Sequence, residues 1–166
     1  MKGTHAVLIV SALLGSLLLF GNAVKKNVPS LPVVHADGQK GCSTRSVGGT
    51  WAFTDTGTVI DIGPRAAVGS FTLDGEGNLL NGLATSSLNG SIAGETFSGT
   101  YTVSSNCAGT INVNIFDAST GAEIFSVILN IQFDDNEKEL RGLFTSVVTP
   151  NGTPLSSVIS LAGRKL

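Results

Sequence analysis

Histidine is scarce in this chain of 166 residues, and both copies lie near its beginning. His5 and His35 precede residue 37, and no histidine follows. Histidine is the commonest general base and the commonest metal ligand in proteins. A domain that starts after these two residues therefore has no Ser-His-Asp or Cys-His triad. The same scarcity argues against a zinc or copper site, and we expect no metal and no cofactor.

Positive charge is also scarce. From residue 37 onward, seven lysines and arginines stand against twelve aspartates and glutamates, a net charge of −5. A mildly acidic surface without a basic cluster argues against nucleic acid and against an anionic membrane surface as partners.

Cysteine occurs twice, as Cys42 and Cys107. An even pair in an exported domain is typical of a disulfide, so we predict a bond between these two residues. In the chain-entropy picture, closing a loop of about 65 residues stabilises the fold by roughly 4 kcal/mol. Two free thiols are the alternative, and no histidine follows that would activate either one as a nucleophile.

A long uncharged apolar run, from Ala6 to Phe20, follows Lys2 and precedes the small residues 21–23. This arrangement is typical of a signal peptide, and we predict one over residues 1–23. Cleavage after Ala36, which removes residues 1–36, is an alternative. An uncleaved anchor is another, and only in that case is a membrane a partner. We expect a secreted or periplasmic protein.

Residues 24–48 contain prolines and glycines without a sustained hydrophobic period. We predict an extended linker there.

The chain from Gly49 onward reads as β-strands separated by turns. Asn-Gly and Asp-Gly are strong hairpin signals, and further turn chemistry recurs about every 13–16 residues. The seven predicted turns are Gly63-Pro64, Asp74 to Asn78, Asn89-Gly90, Ser104 to Gly109, Asp117 to Gly121, Asp134 to Lys138 and Pro150 to Gly152. They separate eight long strands, which favours an all-β fold over residues 49–166: an eight-stranded antiparallel up-and-down barrel.

Alternation of apolar and polar residues supports a sheet with one buried face. In the strand from Glu123 to Phe133, the residues Phe125, Val127, Leu129 and Ile131 share one face, and we predict that this face lies inside.

A glycine two residues before an aromatic recurs four times. The four copies are Gly49-Thr50-Trp51, Gly69-Ser70-Phe71, Gly99-Thr100-Tyr101 and Gly142-Leu143-Phe144. Residues two apart share a strand face, so each glycine leaves room beside a ring. We predict that Phe71, Tyr101 and Phe144 line the interior as ligand contacts, together with Trp51. The alternative is that neighbouring rings fill the gaps and the core is solid.

Gly49-Thr50-Trp51 at the start of the first strand and Arg164 near the end of the last resemble the calycin pattern of lipocalins and avidins. The resemblance implies a small-molecule-binding barrel in which a basic residue packs over the indole. The stretch from Phe97 to Thr110 is similar to a family of exported bacterial proteins to which we attach no activity.

The sequence shows no pair of carboxylates on one inner face that could carry out acid–base chemistry. Glu95 stands beside Thr96 near a turn, and we expect it on the polar face of its strand. The acidic turns do not match a calcium-binding loop. We therefore expect an exported barrel that binds a small hydrophobic ligand. The alternatives are a cofactor-free cyclase or isomerase that uses the barrel cavity, and a structural or interaction module with a filled core.

Overall fold

The structure is a computed structural model, and it describes residues 41–166. The predicted signal peptide, residues 1–23 or 1–36, and residues 24–40 of the predicted linker lie outside the described residues.

Eight β-strands make up the domain. Their bounds are β1 Gly49–Val59, β2 Gly63–Leu73, β3 Asn78–Leu88, β4 Ser91–Val103, β5 Ala108–Asp117, β6 Glu123–Phe133, β7 Glu139–Val148 and β8 Ser157–Lys165. Each strand pairs antiparallel with the next, and β1 pairs antiparallel with β8, so the sheet closes into a barrel. The predicted eight-stranded antiparallel up-and-down barrel is confirmed.

The core follows from the alternation. In β6, Val127, Leu129 and Ile131 are buried and the residues between them are exposed, while Phe125 near the strand's start is half-buried. The same period of two in the other strands places one face of the sheet inside and the other in solvent. No helix occurs between residues 41 and 166, and that part of the chain contains no helix long and apolar enough to cross a membrane.

The turns fall close to the predicted places. Asn89 and Gly90, with φ angles of 50° and 84°, form the two-residue turn between β3 and β4, and both angles suit a type I′ hairpin. Gly63-Pro64 is not a turn, which corrects the prediction. Both residues start β2, where a proline without an N–H is tolerated, and residues 60–62 make the turn with Asp61 at a φ of 66°.

One end of the barrel, here called the disulfide end, contains the start of β1, the end of β8 and the turns at residues 74–77, 104–107 and 134–138. Residues 41–48 form a hydrogen-bonded turn there, in which Val47 N–H donates to Ser43 O, and Val47 is fully buried. The predicted disulfide joins Cys42 to Cys107, with 4.9 Å between their Cα atoms. These last residues of the predicted linker therefore cover the disulfide end rather than approach it as an extended chain.

The other end, here called the distal end, contains the turns at residues 60–62, 89–90, 118–122 and the longer loop at 149–156. Side chains cover it. Val59, Val147 and Ile159 are buried just inside, and Leu88 and Phe125 are half-buried.

Two of the four glycines of the Gly-x-aromatic motif, Gly69 and Gly99, do not leave space beside the rings. A Cβ on Gly99 would lie 1.9 Å from Asn112 O, and one on Gly69 would lie 2.1 Å from Leu83 O. The backbone of the next strand occupies the position in both cases. These glycines permit close approach of strands in a small, strongly curved barrel.

Candidate functional site

Three ionisable side chains meet inside the barrel. Arg65 from β2 lies between Asp55 from β1 and Glu95 from β4, and their exposed fractions are 7%, 2% and 4%. Charged side chains are almost never this buried unless they are paired. We call these three residues the ion cluster.

Arg65 makes a bidentate contact with Glu95 and a longer contact with Asp55. Arg65 Nη1 donates to Glu95 Oε1 and Nη2 donates to Glu95 Oε2, each at 3.0 Å. Ser86 Oγ donates to Glu95 Oε1 at 2.7 Å. Arg65 Nη2 also donates to Asp55 Oδ2, at 3.4 Å. Glu95 is thus the tightly bound partner, since two parallel N–H···O bonds fix a guanidinium on a carboxylate.

Asp55 is the incompletely paired member of the ion cluster. Its Oδ1 lies 3.3 Å from Arg65 Nε as an ion-pair contact, but among residues 41–166 no group donates a hydrogen bond to it. Most buried polar atoms in proteins have a hydrogen-bond partner, so the lack of one at Asp55 Oδ1 is unusual and requires an explanation.

Burial and the neighbouring charges shift the pKa values of Asp55 and Arg65. Burial raises the pKa of Asp55 above its usual value, against the lowering effect of the Arg65 charge and hydrogen bond. Burial alone would lower the pKa of Arg65, yet hydrogen bonding to Glu95 and the charges of Asp55 and Glu95 hold it above its ordinary value. Arg65 therefore stays charged, while Asp55 is the carboxyl that takes up a proton more readily than a free aspartate.

A cavity of about 40 Å³ lies in the middle of the barrel, against the ion cluster. Its walls are apolar except for the three charged side chains. The lining residues are Phe53, Asp55, Arg65, Phe71, Leu79, Glu95, Phe97, Ile111, Val113, Ile115, Val127, Leu129, Phe144 and Leu161. Phe53 contacts both Phe71 and Phe97, with 5.7 Å between ring centroids in each pair. One end of the cavity is thus charged, and much of the rest is aromatic and aliphatic.

A second, smaller cavity of about 10 Å³ lies on the distal side of Arg65. Leu88, Phe125 and Ile159 are among its lining residues, and Arg65, Ile115, Val127 and Phe144 line both cavities. The guanidinium therefore stands between the central cavity and the side chains that cover the distal end.

The four predicted ligand contacts separate into two pairs. Phe71 and Phe144 line the central cavity. Trp51 and Tyr101 are buried at the disulfide end instead, where Trp51 Nε1 donates to Val47 O and Tyr101 Oη donates to Thr44 O. Tyr101 Oη also accepts from Gly75 N–H, and burial raises the pKa of this phenol. Both polar rings therefore bind the segment that covers the disulfide end.

The basic residue expected over the indole of Trp51 is not in that position. Arg164 is exposed and pairs with Ala52, so it lies on the outer face. Lys165 is the residue opposite Trp51, and its Nζ donates to Ser46 O. Arg164 and Lys165 are adjacent in β8, and adjacent strand residues face opposite sides of the sheet, so Lys165 and not Arg164 lies on the same side as Trp51.

The expectation for Glu95 was wrong, and so was the absence of a carboxylate pair. Glu95 shares the inner face of β4 with Phe97 and Tyr101, and Asp55 shares the inner face of β1 with Trp51 and Phe53. The signal was present in the sequence. Asp55 shares a strand face with Trp51, and Glu95 shares one with Tyr101. Both rings are predicted to lie inside, so the period of two places the carboxylates inside as well.

Groups of three or more His, Cys, Asp or Glu side chains that could hold a metal ion do not occur among residues 41–166.

No protein-family model matches the sequence, and neither does any curated protein. Two solved structures are similar to it. The structure of a redesigned β-barrel, mFAP1, bound to DFHBI has a TM-score of 0.45 and 18% identity, covering 74% of this chain and 97% of that one. The crystal structure of Rv2717c from M. tuberculosis has a TM-score of 0.38 and 17% identity, covering 73% of this chain and 93% of that one. At these TM-scores neither similarity bears on what this chain binds.

Proposed function

We propose that this chain is an exported β-barrel that binds a small, mainly apolar molecule in its central cavity. The observation that carries the proposal is the cavity itself, about 40 Å³ in volume, with apolar walls and one charged end. Pockets that bind small molecules are mostly apolar and contain a few polar groups that fix orientation. The volume has room for about three water-sized atoms, so a larger ligand requires the phenylalanine rings to move.

The ligand enters through the distal end. The disulfide end is covered by residues 41–48, which are anchored by the disulfide and by the hydrogen bonds of Trp51 and Tyr101. The distal end is covered by side chains, of which Leu88 and Phe125 are half-buried. Rotation of side chains is a faster and smaller event than displacement of a cross-linked segment.

Export is part of the proposal. The Cys42–Cys107 disulfide is the bond expected in an oxidising compartment, and it agrees with a secreted or periplasmic location.

A second candidate is a cofactor-free isomerase or cyclase, and Asp55 favours it. A carboxyl with a raised pKa that lines a cavity is a candidate proton donor or acceptor. A carboxyl pKa at or below the ordinary aspartate value, measured by ¹³C NMR of Asp55 across a pH titration, would remove the basis for this candidate.

Xenon tests the binding proposal, because this apolar atom occupies buried apolar cavities. We expect saturable shifts in the methyl NMR signals of Val113, Val127 and Leu129, which line the cavity. Val113→Ile adds one methylene inside and should remove most of the xenon binding. Val68→Ile adds the same methylene on the outer face, where Val68 is 59% exposed, and should bind xenon like the unmodified protein.

Absence of saturable shifts in the unmodified protein would contradict the proposal and favour a structural module with a filled core. Equal loss in both variants would show that the shifts do not come from the cavity.

A further inference from the structure

One oxygen of Asp55, Oδ1, faces Arg65 Nε at 3.3 Å but accepts no hydrogen bond from the described residues, and this bears on the chemistry of a ligand. Asp55 lines the central cavity and is 98% shielded from solvent, since its exposed fraction is 2%. Its Oδ1 receives no hydrogen bond from the residues that the structure describes. An ionised carboxylate oxygen is an acceptor only, so the group that completes it must be a donor.

Most of the rest of the ion cluster is occupied by contacts within the protein. Both oxygens of Glu95 accept hydrogen bonds from Arg65, and one of them also accepts from Ser86. The guanidinium has five N–H donors. Three hydrogen bonds from Nη1 and Nη2 reach the two carboxylates, Nε faces Asp55 Oδ1 at 3.3 Å, and the second N–H of Nη1 donates to no group among residues 41–166. Four of the five N–H groups of Arg65 therefore face the protein's own carboxylates, and the single N–H that remains makes Arg65 a poor receptor for a carboxylate on a ligand.

The net charge of the ion cluster also favours a hydrogen-bond donor over an anion. Two carboxylates surround one guanidinium, and the surplus negative charge is on the side of the carboxyl that is less completely paired. In a cavity with apolar walls such a charge attracts a donor and repels an anion, because little solvent screens it.

We propose that the cavity takes small molecules with one hydroxyl-type hydrogen-bond donor, which donates to Asp55 Oδ1 while an aliphatic part lies against the phenylalanine and aliphatic walls. The class is small aliphatic alcohols, and carboxylates of the same size are rejected. This inference rests on the proposed function, since it requires that the cavity binds a molecule at all.

Ethanol and dimethyl ether separate the donor from the rest of the molecule, because they are isomers of nearly equal size and the ether has no donor. Acetate adds a charge at similar size. We expect ethanol to shift the methyl signals of Val113 and Leu129 saturably, with an affinity at least about tenfold above that of dimethyl ether, since a site built around a polar contact rejects the analogue that lacks it. Acetate should give no saturable shift.

Asp55→Asn tests whether Asp55 Oδ1 is the atom that accepts the hydrogen bond from the ligand. The amide oxygen can take the place of Oδ2 near Arg65, and the amide nitrogen then stands where Oδ1 was, as a donor instead of an acceptor. The preference for ethanol over dimethyl ether should fall to nearly none. Asp135→Asn is the matched control, because it makes the same substitution at an exposed turn residue that does not line the cavity. This control should keep the preference.

The two proposals fail in different ways. If xenon binds but ethanol and dimethyl ether bind equally to the unmodified protein, the donor inference is overturned and the binding cavity stands. If neither xenon nor ethanol binds, both are overturned. Because the comparison of ethanol with the ether uses the unmodified protein, it decides the inference even where a variant does not fold.

Discussion

Replacing Arg65 by methionine should destabilise the protein strongly, because it leaves two buried carboxylates without their shared partner. Arg65 lies within 3.3 Å of Asp55 and 3.0 Å of Glu95. Breaking a buried ion pair by removing one partner costs about 3–5 kcal/mol, since the remaining charge is buried and unpaired. Methionine keeps much of the length of the arginine side chain, so the loss of packing is a minor part of the effect.

Arg141→Met is the matched control. Arg141 pairs with Glu139 at 3.6 Å, but their side chains are 69% and 56% exposed. Exposed pairs of this kind contribute between 0 and about 1 kcal/mol. Urea unfolding of both variants at about pH 7, followed by the fluorescence of Trp51, should give a free energy of unfolding several kcal/mol lower for Arg65→Met than for Arg141→Met.

Acidification should restore part of the loss. The Arg65 charge lowers the pKa of Asp55, so its removal raises that pKa further above 3.8. A carboxyl whose folded-state pKa exceeds its unfolded value destabilises the fold when it ionises, and the penalty disappears as the pH falls towards the unfolded pKa. The difference between Arg65→Met and the unmodified protein should therefore shrink between about pH 7 and pH 4.

A loss for Arg65→Met no larger than that for Arg141→Met would refute the reasoning, because the carboxylates would then be reached by water. A loss that does not change with pH would show that it comes from packing rather than from charge.

Two further predictions follow from the glycines and the disulfide. Gly99→Ala should lower the free energy of unfolding by about 1–3 kcal/mol, because its Cβ would lie 1.9 Å from Asn112 O, whereas Gly94→Ala, whose Cβ meets only the Ala118 side chain at 3.3 Å, should have a small effect. Urea unfolding measures both, and equal effects would contradict the close approach of β4 and β5. Cys42→Ser with Cys107→Ser should cost up to about 4 kcal/mol, since the disulfide closes a loop of 65 residues. Addition of reductant should lower the thermal midpoint of the unmodified protein and leave that of the double variant unchanged, and a reductant effect on the double variant would contradict this assignment.

The barrel could be predicted because it rests on local signals. Asn89-Gly90 has the positive φ angles that a two-residue hairpin needs, and the period of two in β6 assigns its faces directly. The two cysteines allowed a single intrachain pairing. The turns and strand faces depend on neighbours in sequence, and the disulfide needs only the presence of two cysteines, so the sequence is sufficient to recognise them.

The ion cluster could be predicted only in part. The inward positions of Asp55 and Glu95 follow from the rings two residues away, Phe53 and Phe97. Their meeting does not follow from sequence. Arg65 lies on β2 and Glu95 on β4, with β3 between them, so the contact depends on the curvature of the barrel and on the stagger of its strands.

The glycine spacing predicted room beside the rings, and the opposite outcome has a simple physical cause. A glycine leaves empty space beside a ring only if the backbone of the neighbouring strand stays at its ordinary distance. In this barrel the strands bend towards Gly69 and Gly99 until carbonyl oxygens occupy the space. The cavity lies instead where Asp55 and Arg65 meet the rings of Phe71 and Phe97.

The two ends of the barrel are closed in different ways, and the ion cluster lies on the inner side of the distal end. A covalent cross-link and the hydrogen bonds of Trp51 and Tyr101 hold the disulfide end closed, while side chains cover the distal end. Arg65 stands between the distal cover and the central cavity. Aliphatic side chains of similar volume would fill this position with equal or greater stability, since buried ion pairs seldom exceed the hydrophobic packing that replaces them. The stability of the barrel alone therefore does not account for a charged cluster at the inner side of the distal cover, and the proposed recognition of a donor starts from the Asp55 oxygen that accepts no hydrogen bond from residues 41–166.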